Sequence, residues 1–220
     1  YQRQKIMKLK INEIFYSLQG EGLQIGIPTV FVRLFGCSLR CAWCDSMYAV
    51  KGDDYKEYSV NQLISKIEKL KCENVCITGG EPLHQKEGLV ALTKRLLEDN
   101  YKILLETAGH IKPMPIFNDP NVLISMDCKC PGSGMEKKTN LNLLNDLQIK
   151  DQIKFVIKDL IDYEYAKNIV IKNNFNAEVI FQPVYGSSLE ELVDLVLQDN
   201  LNIRVIPQIH KIIWGDIRGV

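Results

Sequence analysis

Short apolar segments alternate with longer amphipathic segments along most of the chain. The short segments are rich in Val, Ile, Leu and Phe and show little alternation of apolar and polar positions. This pattern is typical of parallel strands whose two faces are both covered. It predicts an N-terminal edge strand at residues 8–15 and further strands at residues 29–35, 74–77, 102–105, 122–126, 152–157, 178–181 and 202–206.

Apolar residues recur at helical spacing between most of these strands, and this predicts helices. The first predicted helix covers residues 60–70, with Ser59 as its N-cap. Strand alternating with helix is typical of right-handed βαβ units, and eight full repeats do not fit in 220 residues. We therefore expect an α/β fold, an open or partial (β/α) barrel of about six parallel strands. The other predicted helices are residues 89–97, 141–147, 163–171 and 189–197.

Composition narrows the class of protein. Hydrophobic residues make up 46% of the chain, which is enough for a core without disulfide or metal staples. Lys plus Arg and Asp plus Glu are both 27, and this balance argues against disorder and against a broad nucleic-acid-binding face. No segment approaches the roughly 18 consecutive apolar residues of a membrane span, and no signal-peptide pattern opens the chain. We expect a soluble cytoplasmic protein.

Residues 1–6 are interpreted separately from the rest of the chain. The chain begins with Tyr, and Met7 is the expected natural start. Residues 1–6 are therefore interpreted as a cloning remnant or a short extension. Residues 7–220 are expected to form a single domain, since no Pro-rich or Ser-rich linker interrupts them.

Three of the seven cysteines, Cys37, Cys41 and Cys44, share one loop in a C-x3-C-x2-C spacing. Clustered cysteines in a chain without an export signal indicate metal binding more than a disulfide framework. Structural zinc requires a fourth ligand, whereas a cubane iron–sulfur cluster binds three cysteines and leaves one iron open to a small molecule. A chance grouping of core cysteines is disfavoured, because the loop also carries Ser38, Arg40 and Asp45. We favour the iron–sulfur interpretation over zinc. Candidates for a fourth zinc ligand are Cys72, Cys76, Cys128, Cys130 and the histidines.

Polar residues follow the predicted strands at the points where the strands end. The carboxyl ends of parallel strands meet at one edge of a sheet, so these residues are expected to form one site. They are Gly79, Gly80, Glu81, Glu106, Thr107, Asp127, Cys128, Lys129, Gln182, Gln208 and His210.

The cysteine spacing, Trp43 before the third cysteine and the sequence Gly-Gly-Glu-Pro at residues 79–82 resemble the radical S-adenosylmethionine (SAM) superfamily. From Met7 onward the chain is also similar to one family within it, the 7-carboxy-7-deazaguanine synthases. The motifs that carry this similarity are residues 15–22, Arg33, residues 44–46, 127–134 and 208–215. The resemblance implies a radical SAM fold, a [4Fe-4S] cluster, S-adenosylmethionine and Mg²⁺.

The resemblance also implies a reaction. It is the contraction of 6-carboxy-5,6,7,8-tetrahydropterin to 7-carboxy-7-deazaguanine with loss of ammonia, on the route to queuosine and related deazapurines. A 5′-deoxyadenosyl radical derived from SAM would abstract hydrogen from C6 of the pterin. The implied partners are the pterin substrate, an electron donor such as flavodoxin or ferredoxin, and a second copy of the chain in a homodimer, without nucleic acid or membrane.

Site residues follow from the same resemblance. Cys37, Cys41 and Cys44 would ligate the cluster, and Ser46 would coordinate Mg²⁺ as a hard oxygen donor. The SAM-binding candidates are Trp43, Cys44, Asp45, Gly80, Asp127, Lys129, Gln182 and, through its backbone, Cys128. The substrate candidates are Leu18, Gln19, Gly20, Glu21, Arg33, Thr78, His210 and Val220.

Two of these assignments have a physical argument beside the resemblance. Gly79 and Gly80 have no Cβ, and this absence would let their backbone approach the cofactor closely. Arg33 lies in an otherwise apolar strand, so if buried it requires an anionic partner, and a substrate carboxylate fits its bidentate fork.

Two other functions remain open on the sequence alone. A radical activating enzyme with a glycyl-radical protein as substrate would share the cysteine spacing, but would not explain Ser46, Arg33 and residues 19–21 together. A non-catalytic zinc-binding protein would use the same cysteines without iron or sulfide.

Overall fold

All nine strands lie in one sheet. We describe residues 7–220 of a computed structural model, so the interpretation of residues 1–6 lies outside the described part. The strands are β1 (Lys8–Leu18), β2 (Pro28–Leu34), β3 (Lys56–Ser59), β4 (Asn74–Gly79), β5 (Lys102–Thr107), β6 (Val122–Cys128), β7 (Gln152–Ile157), β8 (Glu178–Pro183) and β9 (Arg204–Val205).

The sheet is an open barrel of parallel strands with a short antiparallel edge. Its order is β3-β1-β2-β4-β5-β6-β7-β8-β9. β2 and β4 to β9 pair in parallel, while β1 pairs antiparallel with both β2 and β3. The two end strands, β3 and β9, each pair with one neighbour, so the sheet does not close. The prediction of a partial (β/α) barrel is confirmed.

The antiparallel edge is where the predicted elements were wrong. We predicted residues 8–15 as an edge strand, but β1 is internal and extends to Leu18, because β3 pairs along its outer side. β3 has the sequence Lys-Glu-Tyr-Ser and carries no apolar pattern that could have predicted it. At the other end of the sheet, β9 has only two residues.

Within residues 7–220, six α-helices connect and cover the strands. Ser59 caps the first of them as predicted, in a capping box with Gln62. The last helix was not predicted. The helices are α1 (Val60–Glu68), α2 (Lys86–Glu98), α3 (Leu141–Asn145), α4 (Leu160–Lys172), α5 (Leu189–Gln198) and α6 (Ile209–Trp214).

The hydrophobic core lies between the helices and one face of the sheet. On β7, Ile153, Phe155 and Ile157 belong to this core, whereas Lys154 and Val156 line a cavity. The period of two along a strand therefore separates core positions from cavity positions. No helix in residues 7–220 is long and apolar enough to cross a membrane.

Candidate active site

The loops that follow the parallel strands meet around one cavity of about 470 Å³, as the strand-end pattern predicted. The hairpin loop between β1 and β2 also reaches this cavity. The predicted site residues that line it are Leu18, Gln19, Gly20, Glu21, Arg33, Cys37, Cys41, Trp43, Cys44, Asp45, Ser46, Thr78, Gly80, Asp127, Lys129, Gln182, His210 and Val220.

Cys128 is placed differently from the other site candidates. Its side chain is buried in the hydrophobic core, and burial raises the pKa of its thiol to about 12. Its neighbours along β6, Asp127 and Lys129, both line the cavity. Only the backbone of Cys128 therefore remains a candidate for cofactor contact.

The cysteine loop, residues 36–46, is attached to its surroundings mainly through backbone hydrogen bonds. The Gly36 N–H donates to the Ala49 carbonyl at 2.7 Å, and the Ala42 N–H donates to the Ser133 carbonyl at 3.0 Å. The thiols of Cys37 and Cys41 are half-buried, and burial raises the pKa of both. In the absence of a metal these two thiols are therefore held in their neutral form at neutral pH.

The arrangement of cysteines fits a cluster with one open position better than a single zinc ion. All seven cysteines are free, and only the three of the cysteine loop are among the described residues that line the cavity. Cys72 contacts the Pro28 carbonyl, while Cys76, Cys128 and Cys130 are buried. Residues 7–220 contain no group of three or more His, Cys, Asp or Glu side chains placed around a single metal ion. A structural zinc site requires a fourth protein ligand, and no fourth cysteine of the described residues lines the cavity with these three.

Ser46 lies at the end of the cysteine loop, two residues after Cys44. Its hydroxyl is buried and lies 3.8 Å from Sγ of Cys44. A hydroxyl at the cavity wall is a hard oxygen donor, the type that Mg²⁺ prefers, and Mg²⁺ completes its shell with water and substrate oxygens. Ser46 therefore fits the magnesium role that the resemblance implies.

Gly79 and Gly80 allow two loops to pack against each other. Gly79 has φ +138°, and a Cβ there would lie 2.1 Å from the Leu34 carbonyl oxygen. A Cβ on Gly80 would lie 2.4 Å from the Gly36 carbonyl oxygen. The reason we gave for these glycines was therefore incomplete: the absent side chains leave room for the chain's own backbone at β2 and the cysteine loop.

Glu81 turns into the protein and connects two strand-end loops. Its carboxylate accepts hydrogen bonds from the Ala108 N–H at 2.8 Å, the Thr107 hydroxyl at 2.9 Å and the Leu83 N–H at 3.0 Å. The side chain is fully buried, and burial raises its pKa despite these donors. Glu81 thus fixes the loop after β4 against the loop after β5.

Four charged residues form a chain of ion pairs along the cavity wall, and we call them the charged chain: Glu21, Lys154, Asp127 and Lys129. The Lys154 ammonium contacts a carboxylate oxygen of Glu21 and lies 3.4 Å from Oδ1 of Asp127. Oδ2 of Asp127 lies 2.5 Å from Nζ of Lys129. Two positive and two negative groups balance, which a largely buried set of charges requires.

Within the charged chain, neighbouring charges outweigh burial. Burial alone raises the pKa of Glu21, but Lys154 and a hydrogen bond from Gln208 lower it to about 2. Burial likewise raises the pKa of Asp127, yet Lys129 and Lys154 bring it below its usual value. Burial lowers the pKa of Lys154, and Asp127 and Glu21 reverse that shift. All four groups are therefore ionised at neutral pH.

The loop between β1 and β2 is held inside the barrel by side chains from distant strands. The Leu23 N–H donates to Oε1 of Gln152 at 2.7 Å, and Nε2 of Gln19 donates to Glu106 at 3.2 Å. His210 packs directly over Gly20, where a Cβ would lie 2.0 Å from the ring Nδ1. Residues 19–21 and His210 therefore form one continuous part of the wall.

Arg33 has an anionic partner within the protein, which we did not predict. Its Nε lies 2.7 Å from Oε1 of Glu13, and the Tyr48 hydroxyl donates to the same oxygen at 3.1 Å. The other Glu13 oxygen lies 3.0 Å from Nε of Arg218, whose guanidinium also stacks on Tyr48 at 3.9 Å from the ring centroid. Glu13 therefore connects a substrate candidate with the segment that carries Val220. A substrate carboxylate is thus not needed to neutralise Arg33, although Arg33 still lines the cavity.

Gln182 carries a buried acceptor that the protein itself does not use. Its Oε1 has no hydrogen-bond partner within residues 7–220, although the side chain is only 1% exposed. A buried amide oxygen without a partner is costly unless a ligand supplies a donor. Gln182 therefore fits the SAM-binding role that the resemblance implies, because SAM carries N–H donors.

The sequence did not single out two charged residues of the cavity region, Lys154 and Glu13. Lys154 had a signal that could have been used, since it is the only charged residue of β7, as Arg33 is in β2. Glu13 differs little from an ordinary exposed glutamate in the sequence, and its role is visible only from its contacts with Arg33 and Arg218. Glu106 was among the predicted strand-end residues, but its contact with Gln19 was not predicted.

Comparison with known proteins identifies the family of this chain. The family model described as Radical SAM superfamily matches residues 32–114. The chain is 38% identical over 210 residues to the 7-carboxy-7-deazaguanine synthase of Thermoplasma acidophilum, covering 96% of this chain and 99% of that protein. It is also 38% identical over 231 residues to the synthase of Koribacter versatilis, covering 96% of this chain and all of the relative.

Two solved structures share the fold. QueE from Escherichia coli superposes with a TM-score of 0.75 at 24% identity, covering 92% of this chain and 94% of that one. SuiB from Streptococcus suis bound to S-adenosylmethionine gives a TM-score of 0.55 at 13% identity, covering 79% of this chain and 45% of that one. The identity to the named synthases extends over nearly the full length of both proteins, and the cysteine loop stands where the radical SAM model matches. The chain belongs to the 7-carboxy-7-deazaguanine synthase family of the radical SAM superfamily.

Proposed function

We propose that this protein converts 6-carboxy-5,6,7,8-tetrahydropterin to 7-carboxy-7-deazaguanine and ammonia, in the biosynthesis of queuosine and related deazapurines. The observation that carries the proposal is the shared cavity. The cysteine loop, the Gly80 turn, Asp127 and the loop with Glu21 all line it. This shared lining supports a site for a cluster and its nucleotide next to a site for a polar bicyclic substrate, in a cavity of about 470 Å³.

On this proposal the cluster and the nucleotide are bound on one side of the cavity. Cys37, Cys41 and Cys44 hold the [4Fe-4S] cluster. Together with SAM the cluster supplies hydrogen-abstraction chemistry when bound. The residues that bind SAM are Trp43, Cys44, Asp45, Gly80, Asp127, Cys128, Lys129 and Gln182, with Cys128 acting through its backbone.

The substrate is bound on the other side. The ionised Glu21 accepts hydrogen bonds from the N–H donors of the pterin edge, and Gln19 and Thr78 add further polar contacts. Arg33 would orient the substrate carboxylate, and Ser46 would hold the magnesium ion, whose charge would stabilise that carboxylate when bound. His210, Leu18, Gly20 and Val220 complete the wall and exclude water from the reacting carbon.

The proposal includes the surroundings of the enzyme. It acts in the cytoplasm on a small molecule, receives its electron from a reduced flavodoxin or ferredoxin, and works as a homodimer of single-domain subunits formed by residues 7–220. The family to which the chain belongs supports the need for a reductant.

The test is anaerobic reconstitution with iron and sulfide, followed by incubation with SAM, a reductant and the carboxylated tetrahydropterin. We expect a product lighter than the substrate by one ammonia, identified by mass and ultraviolet spectrum. We also expect the paramagnetic signal of the reduced cluster to change when SAM is added. A cluster-loaded protein that cleaves SAM yet leaves the pterin unchanged would contradict the proposed substrate, and one bound zinc without iron or sulfide would contradict the whole scheme.

A further inference from the structure

Lys154 is an unusual residue for a central strand. It lies in the middle of β7 between Ile153 and Phe155, which are both fully buried, and its own side chain is 9% exposed. A lysine at such a position is strongly disfavoured unless its charge is paired. Its side chain points to the cavity face, where it meets two carboxylates.

The two carboxylates belong to different halves of the proposed site. Glu21 comes from the loop between β1 and β2, on the substrate side. Asp127 ends β6 on the SAM side and is also paired with Lys129. Lys154 is the single group among the described residues that forms an ion pair with both. An ammonium group has three donors, so it can hold two carboxylates at once.

We propose that Lys154 is a positioning residue that couples the two ligand sites by holding Glu21 and Asp127 in place as ionised acceptors. This inference rests on the proposed function for the identity of the two ligands. Lys154 acts through its two partners, and it takes part in no bond-making step. Its removal leaves two buried carboxylates facing each other with Lys129 as the remaining counter-charge, which costs binding energy on both sides of the cavity.

The pH dependence separates this role from a purely structural one. Glu21 is faced by Lys154 of β7, Asp127 of β6, and Gln208 and His210 beyond β9. Without the lysine, burial dominates and raises the pKa of Glu21, which then binds a proton as the pH falls. A protonated Glu21 accepts hydrogen bonds poorly, so pterin affinity is lost toward low pH.

The experiment compares cluster-loaded wild-type protein with Lys154→Met under anaerobic conditions. The dissociation constant of SAM is measured alone, and that of the pterin is measured with SAM present. Both are measured from pH 5.5 to pH 8.5, about 1.5 units either side of neutrality. We expect both dissociation constants to rise roughly ten-fold or more. The pterin affinity of the variant should fall as the pH decreases, while that of the wild type stays nearly constant.

Two further variants keep the test decisive if Lys154→Met folds poorly. Lys154→Arg retains the positive charge and should recover most of the SAM affinity. Lys154→Met combined with Glu21→Gln should lose the pH dependence, because the titrating group is gone. Lys150→Met is the matched control, since Lys150 is paired with the neighbouring Asp151 and does not line the cavity; it should leave both affinities unchanged.

Unchanged SAM and pterin affinities in a folded Lys154→Met variant would overturn the inference. It would also be overturned if this variant lost only pterin affinity, with SAM affinity unchanged and with no dependence on pH. Failure of the proposed function would look different. In that case the wild type would bind no pterin at any pH, while the effect of Lys154→Met on SAM affinity would still be measurable.

Discussion

The charged chain and the cysteine loop border the same cavity but are built in opposite ways. The charged chain is supported by strands β6 and β7, and each of its charges has a partner within the protein. The cysteine loop is irregular, is attached mainly through backbone hydrogen bonds, and presents half-buried thiols whose pKa is raised at Cys37 and Cys41. The charges of the charged chain are therefore all paired without a ligand. The thiols of the cysteine loop, in contrast, need a bound cluster as their partner.

This difference teaches how the protein divides its tasks. Thiolates are needed only when the cluster is present, so the loop can be stable without them. Ligand recognition by the charged chain instead requires carboxylates that are ionised and oriented before the substrate arrives, and this preorganisation reduces the cost of binding. Substitutions in the two regions should therefore have different signatures.

The largest effect is expected from Cys41→Ala in the cysteine loop. It removes one of three cluster ligands, so iron content and activity should fall to background. The unfolding midpoint of the protein without cluster should be unchanged, because the thiol makes no essential contact there. Cys72→Ala is the control, since Cys72 lies away from the cavity, and it should retain both iron and activity. A cluster-loaded, active Cys41→Ala variant would refute the cluster assignment.

Gly80→Ala tests the junction between the cysteine loop and β4. The new methyl group would lie 2.4 Å from the Gly36 carbonyl oxygen, so one of the two loops must shift. We expect a loss of about 1–3 kcal/mol in the free energy of unfolding, the usual cost of overpacking. Urea unfolding of the protein without cluster measures this loss. Wild-type stability would show that the two loops can separate at no cost.

Glu21→Gln tests the charged chain through pH. The pKa of Glu21 is lowered from 4.5 to about 2 in the folded protein, so its ionised form stabilises the fold above pH 4.5. That contribution is lost as the pH falls toward 2. Wild-type stability should therefore exceed that of the variant at neutral pH, and the difference should shrink on acidification through this range. A difference that is constant with pH, measured by urea unfolding, would contradict the shift.

Arg218→Met should give the smallest effect. Arg218 is 42% exposed, and it attaches the segment that carries Val220 to Glu13 and Asp54. Exposed ion pairs contribute little, so we expect the KM for the pterin to rise roughly two- to five-fold with kcat nearly unchanged. Hydrogen exchange of residues 212–220 should become faster. Arg204→Met, which removes an exposed pair with Glu178 far from the cavity, is the control.

Much of this architecture could be predicted from the sequence. Strand β7 was predicted at its observed bounds, and the strand-end residues converge on one cavity as expected. Both results follow from local patterns, because an apolar segment and its end can be identified from consecutive residues. β3 was missed because it carries no apolar period. α6 does place Ile209, Ile212 and Ile213 at helical spacing, but its six residues are too few for that period to stand out.

The ion pairs could not be predicted, because they join residues far apart in the chain. Glu21 and Lys154 are 133 positions apart, and Arg218 and Glu13 are separated by 205. A lone Lys154 or Arg33 in an apolar strand indicates that a partner is needed, but the choice among 27 acidic residues depends on the fold. The same limit explains why we assigned the counter-charge of Arg33 to the substrate instead of Glu13.

The buried carboxylate of Glu81 has a consequence for redesigning this enzyme. Because one side chain bonds to Leu83 on its own loop and to Thr107 and Ala108 on the next, the spacing of those two loops is set by a single residue. Lengthening or grafting either loop alone would leave these amide and hydroxyl donors without their acceptor. A wider entrance for bulkier substrates therefore requires both loops to be exchanged together.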